Sequence, residues 1–452
     1  MFSINISPIC WILLGIELLT VLALLIFVLR PLKAVAKMTP LEESYDPSGE
    51  TGTESDSVER EDDSVQTAPQ SAETETPSIE SETVKEENHS DDPETPGDEP
   101  EDMETPLPKV SVVVYSTVDE EILTEFLKSV CAQDYPDFEV IVVCDASMET
   151  SGMLSERYSE LFRNVYVTFI PPGSHNLSRR KLALTIGIKA ASGDIVITTL
   201  ANVRIPSEKW ISVMAAPFIG NPLIELSLGY SHPDYNEIGG VSSLYKEFYA
   251  MLTDSRWIGY ALMGKPYRGD GVNLAMRRDT FFRCKGYSKT MHLHTGEDDL
   301  FVNEIADSTN TAVAITPDSI LTTVWGSQAA RLFSLRRSQY DFTARWLPTG
   351  PFARGGFASL CQWIVFGSGL AAALLALPNL IPAIAAFFVW LIFMIWETSF
   401  YRKAAAKLES APLSWLVPVF WLIKPLNNMC FRSVRRSTRF KNFTWQRHKL
   451  TK

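Results

Sequence analysis

The sequence predicts an α/β domain with a parallel sheet, set between apolar helices at the two ends of the chain. Three observations carry this. Between residues 107 and 350, short β-branched runs alternate with amphipathic stretches, the order expected when helices cover both faces of a parallel sheet. Those runs are apolar at nearly every position rather than at every second one, as strands buried on both faces are. Near each terminus, apolar stretches reach the length of about 20 residues that a helix needs to cross a bilayer.

The first element is the stretch 9–29, ICWILLGIELLTVLALLIFVL, with Glu17 as its one acid. No basic stretch precedes it and no small-residue cleavage site follows, so residues 1–38 are expected to be an anchor that is retained. Arg30, Lys33 and Lys37 follow at once, which puts the chain from residue 30 onward on the cytoplasmic side. Residues 39–106 change character: between 41 and 105, 24 acids stand against Arg60 and Lys85, among many Ser, Thr and Pro. Such a segment cannot bury enough apolar surface to offset its ordering entropy, and a disordered acidic linker is expected. With −13 on the whole chain, the remainder carries about +9, the sign suited to an anionic membrane face. The six cysteines show no CxxC or His-rich spacing, which argues against structural zinc and fits a reducing compartment.

Within 107–350, KVSVVVY (109–115) is the first strand and 119–132 its helix; FEVIVVC (138–144) is the second strand and stops at Asp145. A helix from about residue 150, a third strand at 165–170, a helix at 178–191 and a fourth strand at 195–200 follow. In open sheets of this kind ligands sit beyond the carboxyl ends of the strands. Ser116, Asp119, Asp145 and Asn202 fall on that edge, although an Asp after a strand is by itself often only a turn former. Residues 351–452 hold two further spans, 357–377 and 381–396, with PNLIP as the turn between them and Arg402, Lys403 and Lys407 after the second. A fourth apolar stretch, 412–431, contains Pro418, Lys424 and Pro425 and precedes RSVRRSTRFK. It is read as re-entrant or interfacial, because a full crossing, the alternative, would strand that basic tail outside.

The order VSVVVYSTVDEEILTEFLKSVCAQDYPDFEVIVVCDAS, then SRRKLALTIGIKAASGDIVITT, GVNLAMRRDTFF and HTGEDDLFVNEIA resembles the family 2 glycosyltransferases. Several motifs in the right order over about 240 residues are more specific than any one alone. The resemblance implies a glycosyltransferase A fold, Rossmann-like and nucleotide-sugar-binding, and an inverting transfer. It also implies site residues. Asp298 takes the place of the catalytic base, with Glu297 and Asp299 as electrostatic support. Asp145, Ser116, Asp119, Lys181 and Asn202 take the donor side. Such a transfer needs a carboxylate facing the acceptor hydroxyl and positive charge facing the leaving diphosphate. Three acids at a helix start would also suit the helix dipole without any catalytic purpose.

Two motifs depart from the family pattern. Where the family carries Asp-x-Asp to hold a divalent ion, the fourth strand ends in Leu200, Ala201, Asn202. Hard divalent ions want oxygen ligands and compensating negative charge, so Asn202 leaves only a weakened place for Mn2+ or Mg2+. Where the family carries Gln-x-x-Arg before an aromatic residue, Leu335, Ser338 and Gln339 stand instead. Arg336 and Arg337 are the nearby residues expected to face the diphosphate or the acceptor. Arg268-Gly269-Asp270 is set aside as a chance adhesion tripeptide, and His292 and His294 as a poor metal site.

Two readings therefore stand together. One is a membrane-bound transferase moving a sugar from a nucleotide sugar to a lipid-linked or glycan acceptor, for a cell-envelope polysaccharide. The other is a catalytically degenerate member that binds a nucleotide sugar or a partner protein. A processive synthase would need a translocation pore, which three spans do not suit. The expected setting is a multi-pass protein of a bacterial inner membrane with the domain cytoplasmic, with no nucleic-acid partner.

Overall fold

A computed structural model describes residues 8–39, 107–117, 120–171, 177–235, 238–377 and 381–437. The acidic linker from residue 40, Asp119 of the donor set, and the basic tail from residue 438 lie outside the described residues.

The chain begins with helix α1 (Pro8–Ala23), a π-helical turn over Leu24–Val28, and a short helix α2 (Arg30–Ala36). The α/β region then runs β1 (Val110–Ser116), α3 (Glu120–Cys131), β2 (Phe138–Cys144), α4 (Met148–Leu161), β3 (Val165–Phe169), α5 (Arg179–Ala190) and β4 (Ile195–Leu200). These bounds lie within about two residues of the expected ones. Next come β5 (Val203–Arg204), α6 (Trp210–Ala215), β6 (Leu226–Leu228), β7 (Ser231–Pro233), α7 (Gly240–Leu262) and β8 (Leu274–Arg277). They are followed by α8 (Arg278–Arg283), α9 (Asp299–Ile305), β9 (Thr311–Val313), β10 (Leu321–Thr323) and α10 (Ala329–Thr343). Helices α11 (Thr349–Leu375), α12 (Ile381–Lys407) and α13 (Leu416–Ser437) complete the described chain.

Seven strands form the main sheet in the order β3-β2-β1-β4-β8-β6-β9. Strands β1 to β4 are parallel, but β8 runs antiparallel to both β4 and β6. The four strands expected to be parallel are so, and the whole sheet is mixed because β8 joins it antiparallel. The reversed strand lies in GVNLAMRR, and a four-residue run holds too little pattern to reveal its direction. Alternation around β1 divides the core. Val112 and Val114 pack with Leu123 and Phe126 of α3, whereas Val113 packs with Leu184 and Ile188 of α5. Each such fully buried aliphatic side chain contributes about 1.5–3 kcal/mol.

A second sheet, β5-β10-β7, closes over the end of β4. It pairs Thr323 with Val203 and lets the Val324 amide donate to the Asn202 carbonyl at 2.9 Å. The turn after β4 is therefore held in place from above.

Among the described residues, three helices are long and apolar enough to cross a membrane: Pro8–Ile26, Thr349–Leu375 and Ile381–Lys407. They pack on one another while leaving side chains such as Trp11, Leu19, Leu374 and Ile392 exposed. Helix α13 runs unbroken past Pro418 and carries Pro425 inside it. Its Asn427 and Asn428 face α10, and Ile423, Leu426 and Met429 are exposed.

Candidate active site

The carboxyl ends of β1 and β4, the loop before α9 and the start of α10 enclose a cavity of about 580 Å³. That lies within the range of about 300–1,000 Å³ usual for small-molecule sites. Its walls include Tyr115, Asn202, Arg180, Glu297, Asp298 and Arg336.

The three consecutive acids take three different settings. Gly296, at φ +92°, turns the chain into α9, and Asp298 becomes the residue that caps it, accepting from the Asp299 amide at 2.7 Å. Glu297 is met by the Arg180 guanidinium at 3.0 Å. Asp299 is buried, accepts from Thr343 Oγ1 at 2.6 Å, and lies 2.7 Å from Arg268 Nε in a close ion contact that is poorly aligned as a hydrogen bond. Burial pushes the Asp299 carboxyl up, against the pull of Arg268. Asp298 alone of the three has no cation within 4 Å among the described residues. Gly271 makes the approach possible, since a Cβ there would stand 3.0 Å from Asp298 Cβ and 3.4 Å from Arg180 Nη2.

The donor-side residues are spread more widely. Asp145 follows β2, accepts from Tyr115 Oη at 2.9 Å and from Arg179 Nε at 2.8 Å, and is not among the residues lining the cavity; Tyr115, which is, connects the two. The Arg179 hydrogen bonds hold the Asp145 carboxyl below the usual carboxylate range. Ser116 is buried at the end of β1, where its carbonyl accepts from the Asp145 amide, and the neighbouring Thr117 faces the cavity. Asn202 lines the cavity with its Nδ2 donating to the Val324 carbonyl at 3.1 Å.

Lys181 is not a cavity residue. It is fully buried, and its Nζ donates to the carbonyls of Thr290 and Thr295 at 2.8 and 2.9 Å, tying down the loop that leads to the acids. Burial pushes its ammonium down to about 8. The spacing offered a signal, because Lys181 shares a helical stripe with Leu184 and Ile188 and must face the core with them. Its neighbour Arg180 turns to the cavity instead.

On α10, Arg336 reaches the cavity, with Nη2 at 3.8 Å from Asp270 and 3.7 Å from Asp254, and Nε donating to Tyr340 Oη at 3.0 Å. Arg337 turns away, donating to the amide oxygens of Asn427 and Asn428 on α13. Leu335 and Gln339 line the cavity, while the half-buried Ser338 does not. The tripeptide set aside as chance holds the site together. Arg268 neutralises Asp299 and stacks over Tyr340 at 4.0 Å, and Asp270 accepts from the Ser231 amide at 2.9 Å.

A divalent ion fits this donor set poorly. The tip of β4 offers no carboxylate, Asn202 can bring only an uncharged amide oxygen, and the described residues contain no group of three His, Cys, Asp or Glu placed to hold a metal. His292 and His294 form no such group either.

Together, the sheet order and a cavity at the carboxyl edge with a free carboxylate beside arginines define a glycosyltransferase A domain, and the chain a glycosyltransferase. Residues 110–258 match the family described as Glycosyl transferase family 2. No curated protein matches the chain. Among solved structures it is similar to a mannosyltransferase, PcManGT, from Pyrobaculum calidifontis in complex with GDP-Man and Mn2+, at 18% identity over 68% of this chain and 88% of that one, with a TM-score of 0.42. It is also similar to TarS 1-349 of S. aureus (17% identity, 74% and 93% covered, TM-score 0.35) and to glucosyl-3-phosphoglycerate synthase of Mycobacterium tuberculosis (15%, 55% and 80%, TM-score 0.33). Overlaps this loose align no catalytic residue.

Proposed function

We propose that the protein is a membrane-bound inverting glycosyltransferase that moves a sugar from a nucleotide-sugar donor to a lipid-linked or glycan acceptor. One observation carries the reading: Asp298 faces the cavity with no cation within 4 Å among the described residues, whereas Arg180 and Arg268 neutralise the acids on either side. An unpaired carboxylate is free to take a proton. In the reaction the acceptor hydroxyl gives its proton to Asp298 as its oxygen bonds to the anomeric carbon. The bond from that carbon to the diphosphate breaks, leaving its electron pair on the diphosphate. Arg336 and Arg180, each also within 4 Å of a carboxylate, are the cations of this cavity available to the diphosphate. The basic residues that follow α1 and end α12 support a cytoplasmic setting for the domain in a bacterial inner membrane.

A second reading, a donor-binding or partner-binding member without turnover, is favoured by Leu200 and Asn202 at the tip of β4. Isothermal titration of a nucleotide-sugar panel against the solubilised protein, with and without manganese, followed by turnover assays, separates the two. The first expects turnover that Asp298→Asn abolishes with donor binding kept. Binding without turnover under any of these conditions would establish the second.

A further inference from the structure

We propose that a second cavity, between α7, α10, α11 and α13, binds the phosphate group of a membrane lipid. The cavity measures about 190 Å³ and lies behind Tyr340, which it shares with the candidate active site. It is smaller than the roughly 300 Å³ at which small-molecule sites begin, and so suits a compact anion better than a nucleotide sugar.

Its charge is one-sided. Arg256, Arg268, Arg337 and Lys424 line it against one acid, Asp341. Arg268 is already committed to Asp299. Arg337 is oriented by the amide oxygens of Asn427 and Asn428 at 2.7 and 2.8 Å and stacked on Tyr249 and Phe431. Arg256 and Lys424 have no carboxylate within 4 Å among the described residues, and they are close enough to repel each other. Glu397 of α12 attracts Lys424 from beyond that range. Cations withdrawn from water and crowded together are stabilised by a shared anion, and a phosphate presents several acceptor oxygens to them.

The wall is shaped for the guanidinium. A Cβ at Gly355 of α11 would stand 2.8 Å from Arg256 Nη1, so the bare glycine is what lets Arg256 lie against that helix. The phosphate is assigned to a lipid because the helices forming the wall continue into exposed apolar side chains, Leu360 and Trp363 on α11 and Ile423 and Leu426 on α13. Chains attached to the anion would cover them. This inference concerns binding only and stands apart from the transfer reaction.

The test uses the full chain in a non-ionic detergent, with dioctanoyl phosphatidate, dioctanoyl phosphatidylcholine and inorganic phosphate titrated separately. Phosphatidate is expected to bind saturably and at least about ten-fold more tightly than either of the others. The double variant Arg256→Gln with Lys424→Gln is expected to weaken it by at least about ten-fold. Gly355→Ala, which displaces Arg256 without changing the charge, is expected to weaken it too, and Lys424→Arg to retain it. Nucleotide-sugar binding serves as the control for folding. Equal binding of phosphatidylcholine, or undiminished phosphatidate binding by the double variant, would overturn the site. Inorganic phosphate binding as tightly as phosphatidate would overturn the lipid assignment, and both ligand comparisons need only the unmodified protein.

Discussion

Asp298 and Asp299 are neighbours in the chain and line one cavity, but Asp299 is buried against Arg268 at 2.7 Å while Asp298 has no cation within 4 Å among the described residues. Their asparagine variants should therefore fail differently. Asp298→Asn is expected to lower kcat by about 10²–10⁴ while the donor Kd stays within about two-fold. Asp299→Asn leaves Arg268 buried without its counter-charge and is expected to cost about 3–5 kcal/mol of stability. Single-turnover kinetics and thermal melting of both variants would distinguish them, and identical profiles would contradict the assignment.

Gly271 is the point where Arg180 and Asp298 both press on the backbone. Gly271→Ala should push the Asp298 side chain aside and reduce turnover by about ten-fold or more, since a displacement of about 1 Å near reacting groups can cost about 10²-fold. Kinetics unchanged from the unmodified protein would show that Asp298 does not need its present place.

Restoring acids at the tip of β4 should create a cation site. Leu200→Asp with Asn202→Asp adds two formal negative charges beside the cavity, and manganese is expected to bind at least about ten-fold more tightly. Isothermal titration with the metal alone reads this directly. An unchanged affinity would mean that the tip does not face a cation-accessible space.

The Arg179–Asp145 contact gives a pH dependence of known sign. The hydrogen bonds from Arg179 lower the Asp145 carboxyl in the folded chain, so the folded state binds fewer protons at low pH than the unfolded one. Its contribution is complete above the unfolded value of about 3.9 and is lost as pH falls through the lower folded value. Melting temperatures of the protein and of Asp145→Asn should differ by a constant amount from about pH 7 to 5, then converge below about pH 4. A difference that grew on acidification would reverse the argument.

Lys181 is expected to matter for folding before chemistry. Lys181→Met keeps the stem in its apolar stripe but leaves the carbonyl of Thr295 unpaired, at a cost of about 1–3 kcal/mol, while that of Thr290 keeps only the Leu293 amide. The loop before the acids should then exchange its amide hydrogens faster, which hydrogen exchange would detect. Unchanged protection there would show that the loop is held by other contacts.

Much of the framework was legible from local pattern. The first four strands and their helices follow from β-branched runs and amphipathic spacing, and both kinds of signal are carried by consecutive residues. Strand β8 was not legible, because its antiparallel course depends on which neighbours accept it. Arg268 and Asp270 looked like a chance tripeptide for a related reason: their partners, Asp299 and Ser231, are distant in sequence.

By itself the sequence determined the alternation of strands and helices, the three apolar spans, and the edge of the sheet where chemistry could occur, since each depends on properties of adjacent residues. Only the tertiary structure decided which acid stays unpaired, that Arg180 rather than Lys181 turns to the cavity, and that Arg336 reaches the active-site cavity while Arg337 meets α13. A charge acquires its role from what lies within a few ångströms of it, and those neighbours are brought together by packing.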